Sequence, residues 1–185
     1  DDEAFNYIED DIDSIERILY SKDQDEFEKW PDYIDKDSFV DYFLINELFG
    51  NYDASNNSTY YYKNKNGKLH VGPLWDYDGA MDNYSTELNN PENIAFNGQP
   101  YFKQLCRSKY YVDELNERYA EMQSSIFGTE YINSYIDSVS EFLGNAALRD
   151  WSRWSDQYGE NSMLKTISDN SGIEIDRKRD SYEDE

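Results

Sequence analysis

The sequence predicts a mainly α protein of the α+β class, with one β-hairpin inserted among its helices. Stretches on both sides of the centre carry apolar residues spaced by three and four, the period of an amphipathic helix. Between them, the β-rich runs 59–63 and 68–72 are joined around Asn66-Gly67. Asn-Gly between such runs is the strongest short-range signal for a hairpin.

Two helices are predicted before the hairpin. The first covers residues 3–20, with its apolar residues on one face and its acids on the other: Phe5, Ile8, Ile12, Ile15 and Leu19 form the apolar face. A polar connection follows, which Trp30 and Ile34 are expected to pin to the core. The second helix is expected to begin at a cap formed by Asp37 or Ser38 and to end before Gly50.

Helices are also predicted after the hairpin. Residues 79–100 form a long loop, and loops of this length are often functional. Helical patterns then cover Tyr101–Arg107, Lys109–Ser124, Glu130–Leu143 with Thr129 as the cap, and Ala146–Ser155. The third of these has its apolar residues at Ile132, Ile136, Val139 and Leu143.

A chain of 185 residues is expected to form one domain, here residues 1–168, followed by a mobile tail at 169–185. Because the sequence does not start with Met, it is expected to be a piece of a longer chain. Cys106 is the single cysteine, so no intrachain disulfide can form, and its apolar neighbours favour a core position.

The composition argues against several classes of partner. The formal net charge is −23, from 40 acidic residues against 17 Lys plus Arg. Nucleic acids and anionic membranes attract cationic surfaces, so neither is an expected partner. No apolar run approaches the length of a membrane span. We expect a monomer that binds a protein substrate or a surface-protein partner.

Three acids stand on either side of the hairpin. Asp53 precedes it, and Asp76 and Asp78 follow it, so the hairpin brings all three into one region. Such acids can bind a divalent cation or orient a hydroxyl. From the residues alone, Asp53 can equally be a turn residue that bonds its own backbone, and Asp76 a helix cap or loop acid.

This stretch resembles the spore-coat protein H (CotH) kinase family. The resemblance rests on NYDA, an aromatic strand ending in YYK, and GPLWDYD, with Asp76 placed 23 residues after Asp53. The preceding SFVDYFLINELFGN fits as well. The resemblance covers most of residues 5–155 and is strongest over 38–83.

The resemblance implies a kinase-like architecture in which this chain is the larger, helical lobe. Its implied activity is transfer of a phosphoryl group from ATP to a protein hydroxyl, with Mg²⁺ or Mn²⁺. Asp53 would be the catalytic acid, Asp76 a metal ligand, and Asp78 a second ligand or a supporting acid. Asn57, or Asn56 in another register, would be the cofactor-binding amide. A secreted or surface location in a bacterium, with the spore coat as one possibility, is implied too.

A kinase-like site also needs a cation for the nucleotide phosphates, usually a strand lysine of a small β lobe. Residues 1–50 predict helices and cannot supply that lobe, and Lys63, Lys65 and Lys68 on the hairpin are expected to be solvated. This chain alone is therefore expected to be inactive. The alternative is a non-catalytic surface, scaffold or adhesion module. A carbohydrate-processing enzyme with two carboxylates is a third possibility. The single histidine, His70, is expected at the surface or at a strand edge.

Overall fold

The computed structural model describes residues 2–51, 53–55, 57–81 and 96–158. These ranges hold seven α-helices and one two-stranded antiparallel sheet, which confirms the predicted mainly α, α+β class. The helices are α1 (Asp2–Leu19), α2 (Gln24–Phe27), α3 (Lys36–Phe49), α4 (Pro100–Leu105), α5 (Lys109–Gln123), α6 (Thr129–Leu143) and α7 (Asn145–Tyr158). Within these ranges, no helix combines the length and apolar character needed to cross a bilayer.

The described residues divide into two compact units, one formed by 2–81 with 96–119 and the other by 120–158. The predicted domain end at 168 and the tail at 169–185 lie outside the described residues and stay predictions. Most of the predicted loop at 79–100 lies outside them too. All the acids singled out above belong to the first unit.

Helix α1 matches the predicted first helix, but its apolar face is buried over only part of its length. Ile15, Ile18 and Leu19 are buried. Phe5 and Ile8 on the same face remain 66% and 59% exposed. The three-four spacing therefore identified the helix, while the extent of burial depends on which elements reach its second half.

The connection after α1 is pinned to the core as predicted. It contains α2 and a 3₁₀ turn at Trp30–Asp32, and it buries Phe27, Trp30 and Ile34 completely. The Trp30 ring meets the ring of Tyr111 edge-on at 5.7 Å. This packing fixes the start of α3 against α5.

The prediction that Asp37 or Ser38 caps α3 is wrong. Asp35 is the cap: its carboxylate accepts a hydrogen bond from the Ser38 N–H at 2.9 Å. The helix starts earlier than predicted because Asp35 has the extended backbone that a capping residue needs. Gly50 ends the helix with a φ of 56°, as predicted from the low cost of left-handed backbone for glycine.

Aromatic side chains fill the core of the first unit. Phe102 of α4 lies at the centre, with ring centroids 5.3 Å from Phe39 and 4.6 Å from Phe96. Tyr42 stacks on Phe102 from α3 at 5.9 Å. The side of α3 that faces this cluster is therefore rigid, and the helix carries its C-terminal end to a fixed place.

The predicted hairpin is confirmed, with a shorter ladder than its sequence run. Strand β1 (Tyr61–Tyr62) pairs with β2 (His70–Val71) in antiparallel register. In the turn, the Gly67 N–H donates to the Asn64 carbonyl at 2.8 Å, and Asn66 takes a φ of 62°. Leu69 exchanges backbone hydrogen bonds with Tyr33 and Asp35, which attaches the hairpin to the connection before α3.

The later helices agree with the predicted runs to within a few residues. Thr129 is not the predicted cap of α6 but its first helical residue, and Gly128 takes the cap position without a side-chain bond. The apolar positions Ile136, Val139 and Leu143 are 56%, 37% and 44% exposed. Cys106 is half-buried after α4, and burial raises the pKa of its thiol to about 11.

Candidate active site

The loop that follows α3 is wound tightly around a buried alanine. Ala54 is fully buried, and its N–H donates to the Asn51 carbonyl at 3.3 Å. The Thr59 hydroxyl oxygen accepts from the Ser55 N–H at 2.5 Å and lies 3.0 Å from the Tyr42 hydroxyl of α3. The loop is thereby tied back to the helix it leaves, so the side chains it carries have defined positions.

Asp53 lies at the start of this loop and is held by two of its neighbours. Its Oδ2 accepts from the Ser58 hydroxyl at 2.6 Å, and its Oδ1 accepts from Nδ2 of Asn57 at 2.6 Å. These hydrogen bonds, Ser58 first, lower the pKa of Asp53 below its ordinary value. The carboxylate is therefore ionised, oriented and a weak base at neutral pH.

Asp76 reaches the same hydroxyl from the other side of the hairpin. Oγ of Ser58 lies 3.0 Å from Oδ2 of Asp76. One hydroxyl thus contacts both carboxylates, which confirms the prediction that the hairpin brings Asp53 and Asp76 into one region. Asp76 itself has a φ of 61°, a left-handed conformation that is uncommon outside glycine and often marks functional positions.

Tyr77 anchors the segment that carries Asp76. Its hydroxyl donates to Oδ1 of Asn46 at 3.0 Å, and its ring meets the Phe49 ring edge-on at 5.7 Å. Burial raises the pKa of Tyr77 to about 12, so the hydroxyl stays a donor at neutral pH. The Met81 N–H also donates to the Phe49 carbonyl at 2.7 Å. Residues 76–81, the acidic segment, are therefore fixed at both ends to the last turns of α3.

Asp78 is exposed on the same segment, two residues beyond Asp76. Within the described ranges, no three Asp, Glu, His or Cys side chains form a group suited to hold a metal ion. The structure brings Asp53, Asn57 and Asp76 together through Ser58. The role of Asp78 as a ligand, like the roles of the other three residues, stays a prediction.

Two lysines and the histidine of the hairpin make contacts with neighbouring elements. Lys63 forms an ion pair with Asp11 of α1 at 2.6 Å, and Lys65 lies 5.9 Å above the ring of Tyr7. His70 stacks on Tyr62 at 5.0 Å, and its Nδ1 lies 3.4 Å from the Asp35 carboxylate. These contacts attach the hairpin to α1 and to the start of α3.

The approach to Asp76 is apolar and aromatic. Trp75 is 55% exposed and meets the ring of Tyr60 edge-on at 6.2 Å. Close by in the chain, a cleft of about 500 Å³ lies against α3 and the end of β2, with Tyr42, Val71 and Leu74 among its lining residues.

Sequence reasoning missed two contributors. Ser58 carried no signal beyond its place in a polar run, because nothing in a sequence shows which serine reaches two acids. Asn46 did carry one: it is a polar residue on the apolar face of α3, and it is 2% exposed in the structure. A buried polar residue of this kind needs a hydrogen-bond partner, which here is Tyr77.

Comparison with known families gives one match. A family model described as CotH kinase protein matches residues 1–173, nearly the whole chain. No curated protein and no solved structure matches the chain.

Proposed function

The chain belongs to the CotH kinase family, and on that premise we propose that it is a kinase-like domain transferring the phosphoryl group of ATP to a hydroxyl of a protein substrate. The observation that carries the proposal is the contact of one hydroxyl with both acids, at 2.6 Å from Asp53 and 3.0 Å from Asp76. Kinase chemistry needs such a pair, since one carboxylate orients the acceptor while the other holds the metal.

Asp53 is the residue that orients the acceptor hydroxyl. Its carboxylate is half-buried and ionised, and it already accepts a hydroxyl hydrogen bond from Ser58. Because its pKa is lowered, Asp53 is a poor general base. Its contribution is to align the acceptor hydroxyl and to stabilise the hydroxyl proton, which leaves late in the transfer. Asn57 keeps the carboxylate in this orientation through its 2.6 Å hydrogen bond.

The donor set around Asp76 suits Mg²⁺ or Mn²⁺. It consists of carboxylate and hydroxyl oxygens, the hard ligands these ions prefer, and Mg²⁺ sites commonly use one or two carboxylates with substrate phosphates. Asp76 would hold the ion, and the ion would supply positive charge to offset the negative charge of the ATP phosphates. Asp76 is exposed at the end of its anchored segment, where a nucleotide can reach it, and Asp78 is proposed as a further ligand or supporting acid.

The proposed substrate is a segment of another protein, and the charge of the chain favours a basic one. At a formal charge of −23 the surface attracts Lys- and Arg-rich sequences over a Debye length of about 8 Å. The exposed pair of Trp75 and Tyr60 beside Asp76 offers apolar contact. A secreted or surface location in a bacterium, including the spore coat, is proposed with it.

A phosphoryl-transfer assay tests the proposal. The protein is expressed as these 185 residues and as the full-length gene product, and labelled ATP, Mg²⁺ and a basic Ser-rich protein are supplied. We expect transfer by the full-length product and loss of metal-dependent ATP binding in Asp76→Ala. Asp113→Ala is the matched control, because Asp113 is an exposed acid of α5 paired with Lys109 at 2.6 Å.

Two results would contradict the proposal. Absence of both ATP binding and transfer in the full-length product favours the alternative, a non-catalytic surface or adhesion module. Transfer by Asp76→Ala at the rate of the wild type would remove Asp76 from the site even if the protein is a kinase.

A further inference from the structure

We propose that Asn51 is a positioning residue of the site, whose buried side-chain amide sets the spacing between the loop of Asp53 and the acidic segment through the hydroxyl of Tyr77. The inference rests on the proposed function for its kinetic test alone. Its stability and NMR tests hold whether or not the protein transfers phosphoryl groups.

Asn51 is a buried polar residue whose burial is not compensated. It is 3% exposed, and neither Oδ1 nor Nδ2 of its side chain has a hydrogen-bond partner among the residues that the structure describes. Most buried amides are paired, because an unpaired one costs free energy. Asn46 is just as buried, yet both its side-chain atoms are bonded, to Tyr42 and Tyr77. The unpaired amide of Asn51 therefore calls for a reason other than fold stability.

Asn51 joins helix α3 to the loop that carries Asp53. Its N–H donates to the Asn46 carbonyl at 3.2 Å, and its own carbonyl accepts from the Ala54 N–H at 3.3 Å. One backbone group is thus fixed to the end of the helix and the other to the buried centre of the loop. The side chain of Asn51 consequently has a defined position two residues before Asp53.

The same side chain reaches the acidic segment. Burial raises the pKa of Tyr77 to about 12, and the side chains of Asn51 and Asn46 oppose that rise, so the Asn51 amide lies beside the Tyr77 hydroxyl. This hydroxyl gives its one proton to Oδ1 of Asn46 at 3.0 Å, which leaves lone pairs on its oxygen for a second donor. Nδ2 of Asn51 is that donor in the proposal, at a contact that falls short of hydrogen-bond geometry.

Asn51 is therefore coupled to both acids. Asp53 follows it by two residues, and Asp76 directly precedes its contact, Tyr77. A shift of the amide would change the separation of the loop from the acidic segment, and with it the 3.0 Å approach of the Ser58 hydroxyl to Asp76. A misplacement of about 1 Å at a reacting site can lower a rate about 100-fold.

Replacement by leucine, which branches at Cγ as asparagine does but has no polar atoms, tests the inference on the 185-residue chain. Asn51→Leu removes an unpaired buried amide and is expected to raise Tm by about 2–4 °C. Asn46→Leu is the matched control and is expected to lower Tm, because it leaves the Tyr77 hydroxyl and the Tyr42 carbonyl unpaired. A Tm that falls as far in Asn51→Leu as in Asn46→Leu would make Asn51 an ordinary structural residue and overturn the inference.

Carbon NMR of the aspartate carboxylates gives a readout that fold stability alone would not move. In Asn51→Leu the Asp76 signal is expected to shift, because its contact with Ser58 changes. The signal of Asp113, an exposed acid of α5, is the internal control and is expected to stay in place. If the leucine variant does not fold, Asn51→Ala, which needs no extra room, gives the same measurement. An unmoved Asp76 signal in the folded variant would overturn the inference.

Kinetics of the full-length gene product test the route through Tyr77. Asn51→Leu is expected to lower kcat about tenfold or more and to leave KM for ATP within about threefold, because the amide positions the acids without contacting the substrate. In a Tyr77→Phe background the same replacement is expected to change kcat less than about twofold, since its partner hydroxyl is already gone. Fully additive effects of the two substitutions would overturn the inference.

These outcomes are distinct from failure of the proposed function. A full-length product without transfer removes the kinase activity, while a stabilised Asn51→Leu protein with a shifted Asp76 signal still supports the inference. Transfer at the wild-type rate by a folded Asn51→Leu protein keeps the activity and overturns the inference.

Discussion

The hydroxyl of Tyr77 donates to Oδ1 of Asn46 at 3.0 Å, which fastens the acidic segment to the inner face of α3. Asn46 in turn donates from Nδ2 to the Tyr42 carbonyl at 2.7 Å, one turn earlier in the helix. The position of Asp76 therefore depends on the hydrogen bond that the next residue, Tyr77, makes to α3. Asp53 depends on the same helix, because its loop begins where α3 ends.

Removing this hydrogen bond should destabilise the protein and loosen the site. Tyr77→Phe keeps the edge-on contact with Phe49 but leaves the 2%-exposed Asn46 without its donor. We expect the free energy of unfolding to fall by about 1–3 kcal/mol, the usual cost of a buried acceptor left unpaired. Urea denaturation measures it. Tyr119→Phe, at a tyrosine that is 47% exposed, should change the unfolding free energy by less than about 0.5 kcal/mol.

The capping residue of α3 gives a second prediction. Asp35→Ala should cost about 1 kcal/mol of unfolding free energy, because it removes the acceptor of the Ser38 N–H. Asp35→Asn should recover most of that loss. Asp37→Ala is the control: the Asp37 side chain is 85% exposed and does not cap the helix. Equal losses in the two alanine variants, measured by thermal unfolding, would show that the cap is misassigned.

The pKa of Asp53 should respond to its two donors. Ser58→Ala and Asn57→Ala should each raise it toward the ordinary value, the former more, because the Ser58 hydroxyl is the larger cause of the lowered pKa. A carboxylate NMR titration measures the pKa, with Asp113 as an internal control. No change in either variant would mean that these hydrogen bonds do not persist in solution.

The same pKa fixes the sign of a pH effect. Because the folded pKa of Asp53 lies below the unfolded one, its hydrogen bonds stabilise the fold above about pH 4, the unfolded value, and this stabilisation is lost as pH falls through the folded pKa. The stability difference between wild type and Asn57→Ala should therefore shrink below about pH 4. Titration of Asp53 should not produce the acid limb of a transfer-rate profile near neutral pH.

The centre of the core gives a further test of the fold. Phe102 is fully buried and contacts rings from α3 and from the 3₁₀ turn at Phe96–Gly98. Phe102→Ala should lower the unfolding free energy by about 3–5 kcal/mol. The side chains around the resulting cavity belong to several elements, so they cannot move together to fill it. Phe5→Ala, at a phenylalanine that is 66% exposed, should cost far less by the same denaturation measurement.

The helices and the hairpin followed from sequence because each has a local cause: an apolar period, a glycine stop or an Asn-Gly turn. The identity of the cap at Asp35 did not follow, because Asp35, Asp37 and Ser38 are all good capping residues and the backbone decides between them. The extent of burial along α1 could not be predicted from sequence either. Its apolar face continues to Phe5, which is 66% exposed, and the spacing of apolar residues does not show which part of the face other elements cover.

At the site, the sequence spacing and the family resemblance predicted that Asp53 and Asp76 lie together. The hairpin between them explains why their carboxylates are close. The link through Ser58 could not be predicted, because it depends on the turn of 53–55 and on the left-handed backbone of Asp76. Aspartate is tolerated in that conformation but gives no sequence signal for it.

The most direct test of the central claim, that Asp53 orients the acceptor while Asp76 holds the metal, compares Asp53→Ala with Asp76→Ala in the full-length gene product. Calorimetric titration gives metal-dependent ATP binding, and labelled-phosphate transfer gives the rate. The account predicts that Asp53→Ala binds nearly as wild type and transfers at least 100-fold more slowly, as expected when a residue acts mainly in the transition state. Asp76→Ala should lose metal-dependent binding. Wild-type transfer rates in Asp53→Ala would contradict the account and leave Asp53 as a turn residue.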